Sequence, residues 1–242
     1  MTGIEQAMFL NQFHQESADG ISIKPEQASR FAKEIAGDFN PIHSPESKRF
    51  CVPGDLLFSL VLDKYGLSQQ MCFTFAGMVG DGVALRFPVS DDEKIAIADD
   101  KGKTYLHVER KGGVSRSAKL VEAFARQYVS FSGQNFPHIL IPLVTEKNVM
   151  LNPDRPLVIY ESMSVRLDHL DFVDPQLKLS GSSLEVKGKR GDARLDFQIE
   201  SAGEIVGAGF KKLVLSGLRE YEESVVRNLV EGYEAAKRNY RL

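Results

Sequence analysis

Apolar positions change their period along the chain, and the changes mark out its elements. "ISIK" (21–24) reads as a short strand. Pro25 then suits the first position of a helix and Glu26 its first turn. Ala28, Phe31, Ala32 and Ile35 fall at i, i+3, i+4 and i+7, which is one helical face. Gly37 is placed to stop that helix, with Pro41 shortly after it. In "VPGDLLFSLVLDKYGLSQQ", Pro53 and Gly54 open a second helix and Gly66 closes it. Its Leu56, Leu57, Phe58, Leu60, Val61 and Leu62 leave almost no polar side, so the pattern predicts a buried helix.

Beyond residue 71 the pattern becomes strand-like: "MVGDGVALRFPV", "EKIAIAD", "KTYLHVER" and "AKLVEAFARQYVSF". In the last of these Val121, Ala123, Ala125, Val129 and Phe131 keep period 2, with Gln127 the exception. Turns fall at 99–102 and 111–113. A second set follows: "YESMSVRLDHL", "PQLKLSGSSLEVKG", "DARLDFQIES" and "EIVGAGFKKLVLSG", with Ala193, Leu195, Phe197 and Ile199 alternating cleanly. The two sets read as a degenerate repeat: "VALRF" parallels "MSVRL", "YLHVERKGG" parallels "LDFQIESAG", and each set ends in Ser-Gly, at 132–133 and 216–217. The proline-bearing stretch 133–156 joins them and is a poor uninterrupted helix. Residues 219–242 read as a helix whose thin stripe of Val225, Leu229 and Tyr233 packs on the surface of the fold. The expected class is α+β, with two antiparallel sheets and a central buried helix in the first half.

Composition narrows the partners. The 242 residues suffice for a real core, and 43% hydrophobic with 26% charged is ordinary for a globular protein. A net charge of −3 asks for no nucleic acid. No apolar run approaches the roughly 20 residues of a membrane helix. "MTGIEQAMFLNQFHQESADG" lacks a cationic flank before an apolar core, so no signal peptide is expected and the location expected is cytoplasmic. Cys51 and Cys72 fit two free thiols. His14, His43, His107, His138 and His169 are scattered without ligand spacing, and no metal is called for.

Candidate chemistry gathers in "FAKEIAGDFNPIH" (31–43), where an aspartate and a histidine flank Asn40-Pro41. Spacing alone favours a plain reading, an Asx turn with a surface histidine. The preceding helix, Gly37 and the buried helix that follows tip the balance toward an acid–base pair at a pocket edge. Asn40 itself reads first as a turn former.

Together "FAKEIAGDFNPIH", "VPGDLLFSL" and "LRFPV" resemble the MaoC-like hot-dog proteins, and within them the (R)-specific enoyl-CoA hydratases. The resemblance covers about residues 21–90 and is strongest in the first motif. It also points to a proteobacterial branch for which no activity is implied. It implies a double hot dog, with halves 1–133 and 134–242 and the C-terminal helix in the second. It places Asp38 and His43 on the catalytic pair and Gly54 on the oxyanion donor. Asn40, Asp55 and Arg86 become candidates for contacting substrate. The implied ligand is an acyl-CoA or acyl-carrier-protein thioester, with no cofactor; single-domain relatives dimerise, and a homodimer stays open here.

Three departures stand out. Pro53-Gly54 replaces the usual His-Gly, Asp55 follows the glycine, and "HSPESKRFCVPG" is short. In two-domain eukaryotic hydratases the motif lies in the second half rather than the first.

Hydrating a 2-enoyl thioester needs a base for water, an acid for C2, and donors for the thioester oxygen. Asp38 and His43 on one water meet the first two needs, and the N–H of Gly54 at a helix N-terminus meets the third. Glycine would let the thioester approach the backbone. Asp55 in the first turn suits the helix dipole yet opposes an oxyanion. At about 5 Å and an effective dielectric near 20, the cost is on the order of 3 kcal/mol, or roughly a hundredfold in rate. Arg86 and Arg166 at matching repeat positions, and Lys48 and Arg49 near the expected mouth, read first as solvated residues and second as phosphate contacts. Cys51 has no paired histidine in view and is not assigned a nucleophile's role. A reading from another class is a non-catalytic acyl-CoA or acyl-carrier binding protein that keeps the motif as a turn.

Overall fold

The computed structural model describes residues 9–240. The stretch 1–8 and the expected helix end at 241–242 lie outside them.

A 3-10 turn (Phe9–Gln12) leads into the hairpin β1 (Gln15–Ser17) and β2 (Gly20–Ser22). Helix α1 (Pro25–Arg30) has Pro25 at its start, as the pattern predicts, and continues as a wider π-helical turn, Phe31–Ala36. A 3-10 turn at Pro41–His43 precedes α2 (Gly54–Tyr65). Next come β3 (Leu67–Phe75), β4 (Ala84–Leu85), β5 (Lys94–Ala98) and β6 (Thr104–Ser115). The middle of the chain holds α3 (Ala118–Gly133), α4 (Asn135–His138), α5 (Leu140–Glu146) and β7 (Val149–Met150). The chain then runs through β8 (Leu157–Leu167), β9 (Gln176–Lys187), β10 (Arg190–Ser201), β11 (Glu204–Ser216), β12 (Arg219–Glu220) and α6 (Glu223–Tyr240).

Seven strands form one antiparallel sheet in the order β5-β6-β3-β8-β11-β10-β9. The two strand sets were expected as two sheets. They join edge to edge where β3 pairs with β8, Gln70 opposite Arg166 through Thr74 opposite Ser162. β3 shows little strand pattern in the sequence, because it begins directly after the turn at Gly66 and its polar Ser68, Gln69 and Gln70 hide its start.

The largest correction is α3. "AKLVEAFARQYVSF" reads as a strand by alternation but folds as a helix. Its buried positions are Leu120, Val121, Phe124, Ala125, Tyr128, Val129, Ser132 and Gly133, a two-wide stripe recurring every four residues. Alternate small residues, Ala123 among them, mimic period 2. The Ser117 hydroxyl caps the helix by accepting from the Leu120 N–H at 3.5 Å. The repeat therefore fails here, since Ser132-Gly133 ends a helix whereas Ser216 ends β11. "VALRF" likewise supplies only β4, in a small sheet with β1 and β2, whereas "MSVRL" lies in β8.

α2 is buried as expected, with Leu56, Leu60 and Val61 fully enclosed. It packs with α3 on the sheet; Phe58 meets Phe73 of β3 at 5.1 Å and Tyr128 of α3 at 4.5 Å between ring centroids. This first cluster also takes Ile95, Leu106, Val108, Met163 and Val165. A second, leucine-rich cluster sits under α5: Leu140, Leu143, Val144, Leu184, Leu195, Leu213 and Leu215. Tyr160 borders both clusters. It faces inward because β8 carries a bulge there. Lys212 pairs with Ser162 and Leu213 with Tyr160, so Glu161 is skipped and the side-chain phase shifts by one. No helix among the described residues is long and apolar enough to cross a membrane.

Candidate active site

Gly37 ends the π-helical turn in the left-handed region at φ +67°, where a side chain would be strained. The Asp38 N–H still reaches back to the Ala32 carbonyl at 2.8 Å. Two Asx-type bonds then wind the chain. The Asn40 N–H donates to Asp38 Oδ1 at 2.9 Å, and the Ile42 N–H donates to Asn40 Oδ1 at 3.1 Å. Asn40 is thus a turn former, its oxygen used by the backbone, although it does line the cavity.

The turn brings His43 beside Asp38. His43 Nδ1 lies 2.7 Å from the Cys51 carbonyl. A carbonyl only accepts, so Nδ1 carries the hydrogen and Nε2 of the neutral ring is the free acceptor. That Nε2 is 3.7 Å from Asp38 Oδ2, beyond a direct hydrogen bond. The side chains are 14% and 26% exposed, sheltered yet reachable. Burial pushes the Cys51 thiol up to about 11, which leaves it a poor nucleophile.

α6 does more than pack on the surface. The Tyr233 hydroxyl accepts from the Phe39 N–H at 3.1 Å and donates to the Gly37 carbonyl at 3.3 Å. Phe39 meets the rings of Tyr233 and Tyr240 edge-on at 6.1 and 5.7 Å. A helix from the far end of the chain therefore clamps the turn that carries Asp38.

Asp38 and His43 open on a cavity of about 600 Å³, also lined by Leu57, Phe75, Leu140, Val158, Leu229 and Tyr233. Gly54 lines it too, but the reason for glycine differs from the one expected. A Cβ there would lie 2.8 Å from Tyr160 Cδ1 and 3.1 Å from Phe75 Cε1, so the protein's own rings require it.

A second polar group faces the same cavity, and most of it escaped sequence reasoning. Asp55 Oδ2 accepts from the Ser132 hydroxyl at 2.6 Å, and the Lys211 ammonium donates to the same Ser132 oxygen. All three residues are at most 8% exposed. Burial raises the Asp55 pKa above the usual carboxylate range, and Asp38 adds to this, while Lys211, the Ser132 hydrogen bond and His43 oppose it. Burial lowers Lys211, opposed by Asp55 and Asp38. Lys211 Nζ also sits 4.1 Å from the centre of the Tyr160 ring. The Tyr160 hydroxyl bonds that of Tyr128, and both phenols are raised by burial. Lys211 did carry a signal: it falls in phase with Leu213 and Leu215, on the inward side of β11. Ser132 was absorbed into the repeat, and Tyr160 faces inward only because of the bulge.

Arg86 is not among the cavity residues. Alternation turns Leu85 inward and leaves Arg86 exposed, bridged through its backbone to Ala98. Arg166, Lys48 and Arg49 are exposed and line no part of the cavity.

Fold and site together define an α+β protein with an apolar cavity that holds two separate polar centres. The chain belongs to the family described as "protein of unknown function (DUF3581)", whose model matches residues 8–224. No curated protein matches it. Among solved structures it is similar to an acyl-CoA thioesterase II, TesB2, from Mycobacterium marinum, with 10% identity over 70% of this chain and 90% of that one and a TM-score of 0.38. It is similar to a conserved protein with a hot dog fold from Alicyclobacillus acidocaldarius, at 8%, 75%, 90% and 0.36 in the same order. The values for a MaoC-like dehydratase are 8%, 85%, 98% and 0.40. The overlaps are loose and concern the fold alone, so the chemistry is read from the cavity itself.

Proposed function

We propose that this protein binds an acyl thioester in the cavity and hydrates 2-enoyl-CoA, or dehydrates the 3-hydroxyacyl form, through Asp38 and His43. Its architecture is read as a double hot dog with halves 1–133 and 134–242, working in the cytoplasm. One observation carries the reading: Asp38 Oδ2 and His43 Nε2 stand 3.7 Å apart on the wall of one cavity, with the other ring nitrogen tied to the Cys51 carbonyl. Water held between them gives its proton to Asp38 as its oxygen bonds C3. His43 Nε2 holds the water by accepting its other hydrogen, the Asp38 carboxyl then passes the proton it took to C2 and returns to a carboxylate, and the thioester oxygen is held at the N-terminus of α2 while charge develops on it.

A second reading, an acyl-CoA or acyl-carrier binding protein without turnover, draws on one observation. Asp55 is buried at the first turn of α2, where a negative charge opposes an oxyanion on the Gly54 N–H. Crotonyl-CoA hydration, followed as loss of enoyl absorbance, separates the two. Turnover that Asp38→Asn abolishes supports the hydratase. Binding of butyryl-CoA with no turnover above background supports the binding protein.

A further inference from the structure

Lys211 is the one lysine or arginine among the described residues lining the cavity. It is 5% exposed, it projects from the middle of β11, and among the described residues its ammonium hydrogen-bonds Ser132 alone. An ammonium has three N–H donors, so two of them lack an acceptor in a buried place, where unmet donors are costly. Asp55 does not take them, because Ser132 stands between the two charges and Asp55 Oδ1 is itself without a partner among the described residues. The position of the ammonium is telling. Lys211 lies against the Tyr160 ring, and the same ring packs on Gly54 at the start of α2. Through Ser132 it is one hydroxyl away from the first turn of that helix. The sequence left Asp55 as an unopposed negative charge at this point. The structure sets a cation beside it.

We propose that Lys211 polarises the thioester carbonyl: its free N–H groups join the N-terminus of α2 in holding the oxygen, and its charge offsets that of Asp55. Ser132 is the positioning residue, holding the ammonium by its oxygen and Asp55 by its proton. The assignment rests on the thioester reading above but not on turnover. It also sets the ligand class. The anchored group is a carbonyl acceptor that carries no negative charge of its own beside Asp55, so a thioester fits and a free carboxylate does not.

The test uses the full chain and butyryl-CoA labelled with 13C at the carbonyl, which binds without an enoyl group to react. Isotope-edited infrared spectroscopy reads the carbonyl band directly. The expected result is a shift to lower frequency on binding to the wild type, lost in Lys211→Met and kept in Asp38→Asn. Because Lys211→Met leaves Asp55 alone in the interior, the double variant Asp55→Asn with Lys211→Met is measured too, and it is expected to fold and to lack the shift. With crotonyl-CoA, Lys211→Met is expected to cut turnover roughly hundredfold, the usual loss for one oxyanion donor, with affinity changed severalfold at most. A shift that persists in the double variant overturns the proposal. So does butyrate competing with butyryl-CoA at equal affinity, or a wild type that binds no butyryl-CoA. A Lys211-dependent shift in a wild type that does not hydrate crotonyl-CoA leaves the assignment standing and removes the hydratase reading.

Discussion

The two polar centres of the cavity are built in opposite ways. Asp38 and His43 are five positions apart, part-exposed, and arranged by one turn wound by local Asx bonds and clamped from outside by Tyr233 of α6. Asp55, Ser132 and Lys211 come from the first turn of one helix, the last turn of another and the centre of a strand; Ser132 is 77 positions from Asp55 and 79 from Lys211. A local centre near the rim is cheap to form, because solvent still screens its charges and one turn orders it. In a buried centre drawn from distant elements the charges depend on one another, because each member left alone in the interior is costly. The difference shows where to look for chemistry and where for stability.

The sharpest break is Lys211→Met. It leaves the Asp55 carboxylate buried without its cation, and urea unfolding should show a loss of about 3–5 kcal/mol at neutral pH. The loss should shrink as pH falls. Burial raises the folded-state pKa of Asp55 above its unfolded value, so the folded chain holds this proton to higher pH than the unfolded chain does. Native stability from this group is then greatest below the unfolded value and falls as pH rises through the folded one. Adding Asp55→Asn to Lys211→Met should restore most of the loss. A Lys211→Met protein as stable as wild type across pH would mean the buried centre is no tighter than the rim.

Asp38→Asn should do the reverse. Turnover of crotonyl-CoA is expected to drop roughly hundredfold or more, since general-base catalysis is worth about 10²–10⁴. Butyryl-CoA affinity and unfolding midpoint should hardly change. A large fall in stability here would place Asp38 with the buried group rather than at the rim.

Gly54→Ala probes the border between the centres. The added methyl meets the rings of Tyr160 and Phe75, and overpacking of this kind costs about 1–3 kcal/mol. A shift in the tyrosine near-ultraviolet circular dichroism should accompany it. Tyr233→Phe is the mildest change. It removes the hydroxyl that links α6 to Gly37 and Phe39, for about 1 kcal/mol, and hydrogen exchange at the Phe39 amide should quicken while β11 stays protected.

Legibility in the sequence followed the range of the interactions. The turn of residues 37–43 could be read because glycine, Asx bonds and proline act within a few residues. α2 could be read because a helix apolar on all sides has no stable place but the interior. The sequence of α3 reads as a strand because Val121, Ala125 and Val129 satisfy two periods at once, and only packing against α2 and the π-helical turn selects the helix. Arg86 lies exposed and off the cavity, in keeping with its first reading as a solvated residue; the repeat that offered it as a substrate contact is one that similar strand segments suggest but the pairing does not follow.

By itself, then, the sequence determined where chain direction changes, which helix is buried, and that an aspartate and a histidine lie on one turn; each follows from backbone sterics and local hydrogen bonds. Tertiary structure alone decided that β3 would pair with β8, that a bulge would turn Tyr160 inward, and that Lys211 would meet Ser132 and Asp55. Those contacts join segments far apart in the chain, and they form only once the sheet has closed over both clusters and removed the water that would otherwise have solvated each charge on its own.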